Sequence, residues 1–130
     1  MRYPLDELLD RRSIIQLKIE RIADEEKQRL KQQYKDYTRA IEEYVEEGTC
    51  TREQVEEWHN RLYGINSQIW DLEADMRQGK EGKLSLEEIG KRASQIRDRN
   101  RIRVGIKNEI VETCGLGYKD VKINHVSANL

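Results

Sequence analysis

The sequence predicts an all-α fold, an antiparallel four-helix bundle followed by an irregular C-terminal arm, and three observations carry that prediction. Apolar residues recur at alternating steps of four and three along four separate stretches, the spacing that lines one face of a helix. Between these stretches lie short polar connections holding Gly and helix-capping residues, which favour an up-and-down order of neighbouring helices. The composition agrees, since 38% charged residues, one Pro and no Phe suit long exposed helices better than a sheet. A chain of 130 residues can build one core and not two, so residues 1–115 are read as the bundle domain and 116–130 as the arm. Disorder is excluded by the periodicity of the apolar residues and by a net charge of only -1.

The first helix is expected to begin at Tyr3 and Pro4, because a Pro in the first helical position loses no intrahelical hydrogen bond. Its main apolar face is Leu5, Leu8, Leu9, Ile15, Ile19 and Ile22, with Ile14 and Leu17 on the other side among Asp10, Lys18 and Arg21. A helix apolar on two sides is expected to be the best buried of the four. Asp24 is expected to cap the second helix, whose seam of Leu30, Tyr34, Tyr37, Ile41 and Tyr44 is narrow and rich in Tyr. So thin a stripe suits an outer helix or a subunit contact, and it points to a homodimer or higher homo-oligomer. Gly48 ends this helix, and Thr51 with Gln54 form a capping-box pattern for the third, which runs to about Gln78. Ser85 and Glu88 repeat the pattern for the fourth, which closes at Gly115. In the arm, Val121 to Ile123 reads as a short extended piece.

Charge narrows the function. A near-neutral balance lacks the basic excess of a dedicated nucleic-acid binder, and the Arg residues of the fourth helix are scattered around its wheel with few aromatics. Locally, Glu42 to Glu57 is acidic and Lys91 to Lys107 basic, so these helices are expected to neutralise each other within the bundle or across a dimer. No stretch approaches the roughly 20 apolar residues of a membrane span, and no secretory leader is recognisable, so a cytoplasmic protein without membrane contact is expected. Cys50 and Cys114 have no metal-ligand spacing and read as reduced thiols.

The chemistry concentrates on two seams. On the fourth helix, Ile89, Ala93, Ile96, Asn100, Arg103, Lys107 and Ile110 follow one inward line whose middle is polar and basic. On the third, beside the apolar line of Val55, Trp58, Leu62, Ile65, Ile69, Leu72 and Met76, runs a second line of His59, Tyr63, Asn66, Trp70, Glu73 and Arg77. Arg103 and Lys107 cannot be buried without anions, because an unpaired buried charge costs several kcal/mol. Glu73 is the partner the pattern suggests, with Asp10 of the first helix beside it. One outcome is a closed salt-bridge network. The other is a pocket in which Arg77, Arg103 and Lys107 hold a phosphate or carboxylate, Asn66 and Asn100 orient it, Trp70 stacks on it, and Glu73 positions the cations. Asp10 and Lys18 would stand behind this set.

Other chemistries find less footing. Asp71 and Asp75 share a helix face but Glu73 points elsewhere, so they make a poor three-ligand metal site. Glu42, Glu43 and Glu46 resemble the first half of the magnesium motif of the all-helical nucleotide pyrophosphatases, for which Asp75 would be a further ligand; the second half of that motif is missing. His59 and His125 lack partners at metal-binding spacing, no nucleophile elbow occurs, and Gly79 to Lys83 lacks the spacing of a phosphate-binding loop.

Several patches also resemble a known group. Glu7-Leu8-Leu9-Asp10-Arg11, Lys18-Ile19-Glu20-Arg21-Ile22, the run Asn66 to Arg77 with Ile69-Trp70-Asp71-Leu72-Glu73, and Asn100-Arg101 with Arg103 and Lys107-Asn108-Glu109-Ile110 look like a family of small all-helical bacterial and phage proteins of uncharacterised function, often found near surface-glycan genes. The resemblance implies that the polar seam is a shared feature, and it transfers no activity. The expectation is a non-enzymatic bundle that binds an anionic small molecule of nucleotide or sugar-phosphate type and needs no cofactor. A metal-dependent nucleotide pyrophosphatase-like hydrolase and a structural adaptor that meets a protein partner are the alternatives.

Overall fold

A computed structural model describes residues 2–78, 82 and 84–115. They form four helices: α1 (Leu5–Arg21), α2 (Lys27–Glu46) entered through a short 3-10 turn at Asp24–Glu26, α3 (Arg52–Gln78) and α4 (Leu86–Cys114). The expected C-terminal arm, with its extended piece at Val121 to Ile123, lies outside the described residues.

The hydrogen bonds between helices give the directions. Tyr44 Oη donates to Tyr3 O and Arg12 donates to Thr38, so α2 runs antiparallel to α1. Arg12 meets His59 and Tyr63 donates to Glu20, so α3 runs parallel to α1. Arg61 with Glu109, Arg99 with Gln68 and Arg92 with Asp75 set α4 antiparallel to α3. The result is the up-down-up-down order, with α1 packed against α2, α3 and α4 at once. That position explains why α1 holds more buried residues than any other helix among the described residues, and why its apolar residues occupy two sides.

Local signals mostly act as the sequence proposes. Gln54 N donates to Thr51 Oγ1 at 3.0 Å while Thr51 N donates to Gln54 Oε1 at 2.9 Å, a complete capping box, and Ser85 with Glu88 build the same device at 3.1 Å in both directions. Gly48 adopts the left-handed φ of 82° that lets Thr49 N reach back to Tyr44 O at 3.0 Å, and Gly115, at φ 64°, closes α4. Two starts differ. Pro4 is the cap of α1 rather than its first helical residue, and Asp24 does not cap α2: it opens the 3-10 turn, and its carboxylate pairs with Lys27 at 3.1 Å.

The core sits at one end of the bundle, where Leu5, Leu9, Ile41, Tyr44, Trp58, Leu62 and Ile110 come together. The longer α3 and α4 continue past α1 as a hairpin, so all buried residues of α4 lie at or beyond Ile106, and Leu86 is 88% exposed. The polar seam therefore falls where α1 crosses the α3–α4 hairpin, next to the core but not inside it.

Candidate functional site

Arg103 and Lys107 face inward, as the wheel requires, with side chains 31% and 16% exposed. Their partners come from α1. Arg103 clamps Asp10 through one edge of its guanidinium, Nε to Oδ1 at 3.0 Å and Nη2 to Oδ2 at 2.6 Å. Lys107 Nζ donates to Glu7 Oε2 at 2.9 Å and lies 4.0 Å from Asp10 Oδ2. Asn66 of α3 completes the shell, donating from Nδ2 to Asp10 Oδ1 at 3.0 Å and to Ser13 Oγ at 2.9 Å. Burial by itself would push the Asp10 carboxyl up, but the hydrogen bonds from Arg103 and Asn66 prevail and hold it below the usual carboxylate range. The same bond to Asp10 raises the Arg103 pKa, so each partner favours the ionised form of the other.

Glu73 is not the ion-pair partner the sequence pattern suggests. It is exposed, and it bears on Arg103 only through the longer-range field, because the carboxylate of Asp10 occupies the contact position. The reason lies in the register. Asp10 projects from the crossing of α1 over α4, whereas Glu73 lies farther along the hairpin, past the end of the buried part of α3.

A solvent-open cleft of about 340 Å³ lies over this crossing, with Ile14, Leu17 and Ile69 as its apolar floor and Asn66, Trp70, Glu73, Asn100 and Arg103 as its polar and aromatic lining. With its Nε and Nη2 edge committed to Asp10, Arg103 turns its Nη1 toward Asn100 Oδ1, at a long 3.4 Å. The half-buried Trp70 ring has the Arg21 guanidinium 5.8 Å from its centroid, and Arg21 in turn is held by Asp71 at 2.7 Å. Of the remaining expected residues, Arg77 lines an adjoining groove of about 350 Å³ with Glu73, Met76 and Ile96, Lys107 stays outside the cleft on Glu7, and Lys18 is exposed on α1. The cleft thus gathers four of the predicted residues around the oriented guanidinium of a fifth, Arg103.

The acidic residues do not converge. Arg52 engages Glu42 by a hydrogen bond from Nη1 to Oε2 at 2.8 Å; the approach of its Nη2 to Oε1, at 2.6 Å, is an ion contact without hydrogen-bond geometry. Glu43 and Glu46 are exposed, and Asp75 pairs with Arg92 on the α3–α4 hairpin. Among the described residues no group of three or more His, Cys, Asp or Glu is placed to hold a metal ion. Nor is any helix among them long and apolar enough to cross a membrane.

Sequence reasoning left out a second polar cluster between α1, α2 and α3. Arg12, 8% exposed, donates from Nε to His59 Nδ1 at 3.1 Å and from Nη1 to Thr38 Oγ1 at 3.1 Å. Because His59 Nδ1 accepts, its proton sits on Nε2, which donates to Gln16 Oε1 at 2.6 Å. Burial first, and the neighbouring Arg12 second, push the His59 pKa down to about 4, so the ring is neutral. The signal was available: Leu5, Leu9, Arg12, Gln16 and Ile19 step by four and three along α1, so Arg12 and Gln16 fill places where the apolar stripe should continue.

Comparison with known proteins finds no matching family model, no matching curated protein and no matching solved structure. The site stands on the chain's own geometry.

Proposed function

We propose that this chain is a non-enzymatic helical bundle that binds an anionic small molecule, of nucleotide or sugar-phosphate type, in the cleft where α1 crosses the α3–α4 hairpin. The observation that carries the reading is the posture of Arg103. Asp10 holds one edge of its guanidinium, which keeps it charged and fixed, and leaves Nη1 beside Asn100 at the cleft wall. A guanidinium oriented in this way meets an oxyanion with little further ordering cost. Trp70 supplies a ring face for a base or sugar, Asn66 and Asn100 orient the ligand, and Arg77 and Glu73 flank the mouth. In this reading the protein works in a reducing cytoplasm, where its two cysteines remain free thiols.

Two residues of the α2 Tyr seam, from which a homo-oligomer is expected, make contacts within the chain. Tyr44 donates to Tyr3 O at 2.7 Å, and the Arg12 guanidinium lies 5.3 Å from the Tyr34 ring centroid.

The test is ligand-induced thermal stabilisation by a panel of nucleoside phosphates and sugar phosphates, applied to the parent chain and to Trp70→Ala and Asn100→Ala. Both residues line the cleft without carrying the Asp10 pair, so their loss should remove the ligand's shift in Tm while moving the unliganded Tm little. A full ligand response in both variants would place the ligand elsewhere, and no response from the parent chain would retire the reading.

A further inference from the structure

The cluster around Arg12 forms one wall of a second and larger solvent-open pocket, of about 550 Å³, between α1, α2 and α3. Arg12 is more than nine-tenths buried, and its two hydrogen bonds both go to neutral acceptors, His59 and Thr38. Among the described residues no carboxylate forms an ion pair with it; Glu42 and Glu56 act on it only through their longer-range field. That contrasts with Arg103, which is less buried and ion-paired with Asp10. A largely buried guanidinium without a contacting anion is costly for a merely structural residue, and burial accordingly pushes its pKa down. Its Nε and Nη1 are anchored while the rest of the fork stands at the pocket wall, a geometry that suits the two oxygens of a carboxylate.

The other charges in the pocket limit what else the ligand can carry. Glu42 is neutralised by Arg52, but Glu56, also on the pocket wall, is exposed and pairs with no cation among the described residues. A dianionic phosphate would meet two carboxylates here, whereas a ligand with an ammonium group would offset Glu56. We propose that this pocket is a second binding site, independent of the first cleft, which takes a small zwitterion of the amino-acid class, its carboxylate on Arg12 and its ammonium toward Glu56.

The experiment titrates the full chain with the protein amino acids, with their deaminated acids and decarboxylated amines, and with inorganic phosphate, reading Tm and amide chemical shifts. At least one amino acid should stabilise the parent chain, and its acid and amine analogues should each bind at least tenfold more weakly. Arg12→Gln should abolish the response. Glu56→Gln, an exposed change that leaves the fold intact, should bring the amino acid down to the level of its deaminated acid. Trp70→Ala should lose the nucleotide response and keep this one. An amide spectrum of Arg12→Gln that is unchanged away from the pocket separates loss of the binding group from loss of the fold. The proposal is overturned by no binding across the panel, by binding that survives Arg12→Gln, or by equal binding of the deaminated acid or phosphate.

Discussion

Two arginines in one small bundle show how much a partner decides. Arg103 is matched by a carboxylate only 2% exposed, so truncation leaves Asp10 buried without its cation. Arg103→Ala should cost about 3 kcal/mol of stability by chemical denaturation, since breaking such a pair from one side strands the other charge; a loss below about 1 kcal/mol would mean that the pair is screened by solvent. His59 adds a pH dependence whose sign follows from its neutral state. Its folded pKa of about 4 lies below the unfolded value of 6.5, so the unfolded chain binds the extra proton. The contribution of neutral His59 is therefore complete above about pH 6.5 and is lost progressively as pH falls toward 4, by about 3 kcal/mol in all. Urea denaturation between pH 7 and pH 4.5 should show that decline in the parent chain and a flatter profile in His59→Gln. Asp10, with its depressed carboxyl pKa, contributes stability above the ordinary Asp range that disappears only at more acid pH, so the two windows are separable.

At the scale of the helix, capping was legible and partner choice was not. Thr51 with Gln54 and Ser85 with Glu88 sit at fixed spacing in the chain, so the sequence names both boxes; Ser85→Ala should cost about 1 kcal/mol and lower the thermal midpoint. Asp24 misled because a capping side chain says nothing about the tightness of the turn that follows, and a 3-10 turn takes the place of the expected first helical turn. Gly64 lies inside α3 with open space around the position a Cβ would take. Gly64→Ala should therefore stabilise the protein by about 1 kcal/mol, through helix propensity alone; a destabilisation would show that something packs against that face. Periodicity also placed Arg103 and Lys107 inward. The choice of Asp10 over Glu73 depended on where α1 crosses the hairpin, a long-range fact that no helical wheel contains. The pairing of Arg12 with His59 was overlooked for a related reason, since each looks solitary until α1 and α3 are brought together.

Across the whole molecule, the charges match helix to helix, though not as blocks along the chain. The basic stretch of α4 is neutralised by Asp10 and Glu7 of α1 and by Asp75 of α3, while the acidic run from Glu42 to Glu57 finds Arg52 within itself. Composition could forecast the near-neutral total but not this pairing. The fold was readable because it depends on helical period and short connections. The sites were only half readable because they arise at helix crossings. Two open polar pockets flank α1, one over the Arg103 crossing and one beside Arg12, and α1 supplies the orienting charge or the cation to each.

The central claim is that an oxyanion meets Arg103 while its ring lies on Trp70, and the chain carries its own control. Trp58 also bears an indole N–H, but this one donates to Glu109 at 3.2 Å on a side chain 2% exposed in the core. A two-dimensional NMR titration with a nucleoside monophosphate should shift the Trp70 indole resonance to saturation and leave that of Trp58 in place. If both stay fixed at millimolar ligand, or if they move together, the cleft over Arg103 is not a binding site and the Asp10–Arg103 pair serves only to lock the helices.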